Sequence, residues 1–274
     1  MKNGLLCIGD NVVDLYADEG VYYPGGNALN VAVLARRAGL AASDYMGIIG
    51  NDAAAAHVEA SMQAEGLSTR LLRRVQGENG LARVSHDAAG DRVFLGSNRG
   101  GIRRKLMLRM DTDDLEEIGA AAWVHSSCFS YIEPELPRIR AAARALSFDF
   151  STQTDPAYLA LVAPHLTLAF MSGSGLEMAA LRDQAHAMLG FGAGAVCITR
   201  GDEGAYWTDG PQEYLQPIIP TKVRDTMGAG DAFIAGYLAA TIQEAAPAQA
   251  LSHGAATAAR ACTWPGAWGH PHPA

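Results

Sequence analysis

The sequence predicts an α/β fold in which βαβ units surround a mostly parallel sheet. Short apolar runs rich in β-branched or aromatic residues alternate with Ala-rich stretches of helical spacing. The runs read as buried strands, and several helical stretches are opened by Asn, Asp or Pro. With 49% of 274 residues apolar, a sizeable core is available. In chain order, residues 5–8 read as the first strand and 27–38 as the first helix, followed by a strand at 45–49 and a helix at 53–64. A strand at 123–126, a helix at 136–145 and strands at 147–150 and 166–170 come next. The pattern closes with a helix at 176–189, a strand at 195–199, a hairpin around Tyr206 and Trp207, and helices at 231–240 and 246–261. Two stretches break the rhythm. Residues 12–23 and 81–95 alternate like half-solvated strands, the second around the turn sequence Asp-Ala-Ala-Gly-Asp at 87–91, and together they predict a small separate sheet.

Composition narrows the function. Twenty-one basic against 29 acidic residues leave a net charge of −8, which gives no field to attract a polyanion, so nucleic acid is not an expected partner. No uncharged apolar run reaches spanning length, and the first is too short for a signal peptide, so no membrane association and a cytoplasmic location are expected. Cys7, Cys128, Cys197 and Cys262 lie far apart without a Cys-x-x-Cys pair, which suggests neither zinc nor a disulfide framework. The tail His270-Pro271-His272-Pro273-Ala274 reads as a frayed terminus rather than a metal site.

The strongest chemical signal is Asp225-Thr226-Met227-Gly228-Ala229-Gly230-Asp231, running straight into an amphipathic stretch. A helix that begins on small residues exposes unpaired N–H groups and the positive end of its dipole, a hole of phosphate size. A carboxylate beside such a hole would repel a phosphate that merely binds there. In phosphoryl transfer it has a use: Asp231 accepts the proton of the attacking hydroxyl while Gly228, Ala229 and Gly230 frame the developing charge. The alternative is that Asp231 only caps the helix over an ordinary tight turn.

This heptad resembles the C-terminal signature of the ribokinase, or phosphofructokinase-B (PfkB), family of sugar kinases, and Tyr23-Pro24-Gly25-Gly26-Asn27-Ala28-Leu29-Asn30-Val31-Ala32 is similar to the family's N-terminal Gly-Gly segment. The resemblance covers essentially the whole chain. It implies one ribokinase-like domain over residues 1–274, a three-layer α/β/α sandwich with a small β-sheet lid formed by about 12–23 and 81–100. The lid's exposed face is a candidate homodimer contact. ATP and Mg2+ are the implied cofactors, with K+ as a further candidate.

Carboxylates and amides near the end of the first strand suit a polyol. Asp14, Gly26, Asn27 and Asn30 match the family's sugar-contacting positions, Gly25 lets backbone approach closely, and Asp10 is an extra carboxylate of this chain. For Asn27 the competing reading is a helix N-cap. Toward the nucleotide, the resemblance implies Thr199, Gly201 and Gly204 along the phosphates and ribose, Asp225 and Thr226 in the same region, and His253 near the adenine. A half-buried helix histidine is the competing reading for the last. Where the family carries Asn-x-x-Glu to organise magnesium through water, this chain has Ser174-Gly175-Leu176-Glu177, so Glu177 remains the metal-network candidate, with helix N-terminal charge as its alternative.

Within the family, the wording around Asp10 to Asp14, the Gly-Gly segment and the 225–236 stretch resembles the kinases of ketosamines, the Amadori adducts of a hexose and an amine. That implies ATP-dependent phosphorylation of the 6-hydroxyl of fructoselysine or a close relative. Asp10 would serve the adduct's amine, and Arg92, Arg99 or Arg103 its carboxylate. The alternatives are a kinase of another ketose, a 2-keto sugar or a nucleoside, and a catalytically silent sugar-binding protein.

Overall fold

The computed structural model describes residues 4–86 and 92–274; the turn expected at 87–91 lies outside them. The chain begins β1 (Leu5–Gly9), β2 (Val12–Tyr16), β3 (Val21–Gly25), α1 (Asn27–Arg37), β4 (Ser43–Ile49), α2 (Ala53–Ala64) and β5 (Leu72–Arg74). It continues through β6 (Leu81–His86), β7 (Arg92–Ser97), α3 (Ile102–Lys105), α4 (Thr112–Ala120), β8 (Trp123–Ser127), α5 (Leu136–Ala142) and β9 (Leu146–Asp149). The last part is α6 (Pro156–Val162), β10 (Leu168–Ser172), α7 (Met178–Gly190), β11 (Val196–Thr199), β12 (Ala205–Thr208), β13 (Glu213–Gln216), α8 (Ala229–Ile242), α9 (Pro247–Ala261) and β14 (His272–Pro273).

Among the described residues, nine strands form one sheet in the order β13-β12-β11-β10-β9-β8-β1-β4-β5, parallel from β11 to β5 and antiparallel at the β12–β13 edge. The central strands β10, β9, β8, β1 and β4 are buried on both faces because both faces are covered. Leu5 and Cys7 of β1 join a core with α1, α2, α8 and α9, whereas Leu6 and Ile8 join a second core with α4, α5, α6 and α7. Alternate residues of β10 and β11 divide in the same way: Phe170 and Cys197 go to the first core, Met171 and Ile198 to the second. This is the three-layer sandwich, with its ligand edge at the carboxyl ends of the parallel strands.

Among the described residues, a second sheet of five strands, β14-β3-β2-β6-β7, stands beside it. Its inner strands β2 and β3 are more buried than the alternating pattern suggests, since Tyr16 and Tyr23 pack edge to face at 5.0 Å with Val84 and Met227 beside them. The tail supplies a correction. Instead of fraying, His272–Pro273 pairs antiparallel with β3 at Tyr22 and Val21. Tyr22 stacks on His272 at 4.9 Å, His57 donates to the His270 carbonyl at 2.8 Å, and His270 meets Glu65 at 2.6 Å. An aromatic face and a carboxylate available to these histidines explain why a short polar tail is ordered. Cys7, Cys128 and Cys197 are free thiols, Cys7 and Cys197 buried and Cys128 half-buried, as Cys262 is, and among the described residues no helix is long and apolar enough to cross a membrane.

Candidate active site

The ends of β9, β10 and β11 and the start of α8 enclose a cleft of about 190 Å3, lined by Phe129, Asp149, Ser151, Phe170, Met171, Ser172, Thr199, Gly230, Asp231 and Ile234. A larger depression of about 810 Å3 opens at the β5 edge, but its charges answer one another, Arg70 to Glu117 at 2.6 Å and Arg73 to Asp114, and none of the glycines singled out in the sequence lines it.

Gly228 caps α8 in the left-handed conformation (φ 72°), and a Cβ there would stand 2.6 Å from the Ala267 Cβ, so both backbone and packing require glycine. The turn leaves donors facing the cleft. The Ala229 N–H bonds the Thr226 carbonyl at 3.2 Å, while the N–H groups of Gly230 and Asp231 have no acceptor among the described residues. A Cβ on Gly230 would meet nothing within 4 Å, so that face of the turn is open.

Asp231 does not cap the helix; Gly228 holds the cap position and Asp231 turns into the cleft. Both of its oxygens are held by amides: Asn27 Nδ2 donates to Oδ1 at 2.8 Å and Asn30 Nδ2 to Oδ2 at 2.7 Å. Nor is Asn27 the N-cap of α1, a position taken by Gly26. Its second amide hydrogen goes to Asp149 Oδ2 at 2.9 Å, which brings two carboxylates to one nitrogen. Desolvation pushes the Asp231 pKa up to about 6 against the lowering effect of the two amides, with Asp10 adding repulsion. Desolvation likewise raises Asp149 to about 7, opposed by the Ser151 N–H and reinforced by the charges of Asp231 and Asp10. With Asp231 as the base expected from the sequence, which must be ionised to accept a proton, kcat/KM for the acceptor is expected to rise with pH through about 6. A pH profile at saturating nucleotide checks this; an acid limb near 4 would mean that Asp231 behaves as an ordinary exposed carboxylate.

Other expected residues have partly different surroundings. Asp10 is buried, and its Oδ1 accepts from Ala28 N at 3.2 Å and from Ser127 and Ser130 Oγ, both at 2.9 Å, so it also joins α1 to the loop after β8. Asp14 lies on β2, and a Cβ on Gly25 would come within 2.1 Å of its Oδ2. At Gly26 (φ 102°) a Cβ would strike the Asn11 Cα at 2.6 Å, so the close approach these two glycines permit is to the protein itself. Asp225 receives the Tyr16 hydroxyl at 2.6 Å and the N–H groups of Gly266 and Met227 at 2.8 and 2.9 Å, linking the smaller sheet to the turn; Thr226 supplies the carbonyl that holds Ala229.

Thr199 lines the cleft and donates to the Met171 carbonyl at 3.3 Å. Gly201 (φ 60°) and Gly204 (φ 92°) shape the turn after β11, where a Cβ on Gly201 would lie 2.9 Å from the Ser174 Oγ. His253, half-buried on α9, uses Nδ1 to donate to the Gly236 carbonyl at 3.1 Å. Glu177 precedes α7, exposed and without a capping bond. Arg99 is exposed, but Arg103 is buried rather than solvated, donating from Nη1 to the Phe129 carbonyl at 2.7 Å; the side chain of Arg92 lies outside the described residues.

Sequence reasoning gave Asp149, His125 and Trp268 no role in the site. Their partners lie 122, 98 and 238 residues away along the chain, and no local pattern marks them.

The chain matches the model of the pfkB family of carbohydrate kinases over residues 5–272. The chain belongs to that family. It is 44% identical to fructosamine kinase FrlD of Bacillus subtilis (strain 168) over 269 residues, covering 98% of this chain and 94% of that protein. With fructoselysine 6-kinase of Escherichia coli (strain K12) it shares 33% identity over 265 residues, 96% of this chain and 99% of that one. The fold of this pfkB-family chain is that of ribokinases. Arabidopsis thaliana ribokinase, solved with ribose and ATP, superposes with a TM-score of 0.81 at 18% identity, covering 97% of this chain and 94% of that one.

Proposed function

We propose that the protein is an ATP-dependent kinase of a ketosamine, transferring phosphate to the 6-hydroxyl of fructoselysine or a close relative. The observation that carries the chemistry is Asp231, a carboxylate of raised pKa held at both oxygens beside two unpaired N–H groups at a helix start. The acceptor class is supported by the 44% identity with a fructosamine kinase across nearly the whole chain. In the reaction Asp231 takes the hydroxyl proton as the sugar oxygen bonds to the γ-phosphorus. The bond from that phosphorus to the bridging oxygen breaks and leaves ADP, and the Gly230 and Asp231 N–H groups stabilise charge on the transferring group.

Magnesium fits this site as an ion carried on the nucleotide. Among the described residues no group of three His, Cys, Asp or Glu side chains is placed to cage a metal, whereas the exposed Ser174 and Glu177 can hold metal-bound water. Its chemistry would be to neutralise phosphate charge. Potassium enters as a candidate activator, tested by replacing KCl with choline chloride: lost turnover supports it and unchanged turnover removes it. The smaller sheet is read as a lid on a single domain, and β7 as its dimer edge because Phe94 and Leu95 are 64% and 56% exposed. Cys7, Cys128 and Cys197, held as free thiols, favour the cytoplasm.

Asp10 is assigned to the secondary amine of the adduct, since its Oδ2 has no protein donor among the described residues. Arg103, on the Phe129 side of the cleft, is assigned to the amino-acid carboxylate. Asp10→Asn can keep an oxygen toward its three donors while losing the charge. It is expected to cost fructoselysine about tenfold or more in kcat/KM and fructose far less. Equal losses would assign Asp10 to the fold. The reading as a whole is tested by ADP release with glycated amino acids, fructose, ribose and nucleosides: ketosamines should be preferred, and a preference for any other class would replace the assigned substrate.

A further inference from the structure

Two amides hold the base, and each is itself held. Trp268, 1% exposed, donates its indole Nε1–H to Asn30 Oδ1 at 2.8 Å. His125, fully buried on β8, faces Asn27 Oδ1 through Nε2 at 3.1 Å, with Nδ1 on the Ser147 Oγ at 3.0 Å. The chemistry fixes these orientations. An indole N–H can only donate, so Asn30 must turn its oxygen to Trp268 and its nitrogen to Asp231. Two carboxylates occupy the nitrogen side of Asn27, so its oxygen faces His125, which must carry its proton on Nε2. Burial pushes the imidazole pKa down to about 3, so the ring stays neutral.

Trp268 is in turn fixed by the segment that crosses the turn of α8. Gly266 N donates to Asp225 at 2.8 Å, Ala267 packs on Gly228, and Arg37 Nη2 donates to the Trp268 carbonyl at 2.8 Å. This segment then pairs with the smaller sheet through β14.

We propose that Trp268 and His125 are positioning residues for the reaction: their ring N–H groups lock the Asn30 and Asn27 amides so that each presents a donor to one oxygen of Asp231. The inference rests on Asp231 being the base. Without the ring donor, an amide can rotate its oxygen toward the carboxylate and replace attraction with repulsion. Asp10 at the end of β1 and Asp149 at the end of β9 are the charged groups that face Asp231, and neutral His125 stands behind Asn27 on β8. Since the amide bonds lower the Asp231 pKa, losing one raises it and moves the acid limb of kcat/KM to higher pH.

The test compares Trp268→Phe and His125→Leu with the parent enzyme, using pH profiles and thermal unfolding. Each folded variant is expected to move the acid limb up by about half to one pH unit and lower the plateau kcat about tenfold, with the KM for ATP unchanged. His125→Gln, which restores an N–H donor, should recover most of both effects. Adding Trp268→Phe to Asn30→Ala should change nothing further, because the ring acts only through that amide. If Trp268→Phe does not fold, the His125 pair decides. Folded variants with unmoved limb and plateau would overturn the inference while leaving the base in place, whereas an active Asp231→Asn enzyme would remove the base itself.

Discussion

Asp231→Asn is expected to lower kcat by at least about a hundredfold, the low end for a lost general base, with nucleotide affinity little changed. The substitution keeps size but not chemistry. Both carboxylate oxygens accept amide N–H groups, so an Asn side chain must turn its own NH2 against Asn27 or Asn30. It also lacks the charge that draws the hydroxyl proton. Steady-state kinetics with a nucleotide-binding titration check both halves. More than about a tenth of parental turnover would remove Asp231 from proton transfer.

Gly230→Val is expected to have the next largest effect, a fall in kcat of about a hundredfold, comparable with losing an oxyanion donor, and a melting temperature near that of the parent. The structure separates the two glycines of the turn. A side chain at Gly230 enters open space in front of the unpaired N–H groups, whereas one at Gly228 strains a left-handed residue and collides with Ala267. Loss of activity in Gly228→Val would therefore mix chemistry with damage to the turn. A folded Gly230→Val enzyme with normal kinetics would show that the transferred phosphoryl does not use these donors.

The sandwich was legible because its evidence is local: β1 is apolar at every position and buried on both faces, and α8 begins on the glycine turn that the sequence marks. Asp231 stands out on that same turn, whereas Asn27 and Asn30 stand out as sugar contacts only through the resemblance of the Gly-Gly segment. Their connection to one another could not be read there, because Asn27 and Asn30 reach Asp231 only after α1 and α8 pack together. Asp149 reads locally as a polar residue within the strand expected at 147–150, and His125 as one within the strand expected at 123–126. Each gains meaning only from the parallel register that sets β8 and β9 side by side. The tail misled for a physical reason: His270 and His272 resemble a frayed end until Tyr22, His57 and Glu65 are placed beside them.

The most direct measurement is the structure of the product. Fructoselysine incubated with the enzyme and Mg-ATP should release one ADP per sugar consumed, and phosphorus–carbon coupling in the purified product should place the phosphate on C6. Phosphate on another carbon would contradict the assigned hydroxyl. No ADP from any ketosamine, alongside turnover of a simple ketose or a nucleoside, would contradict the account at its centre.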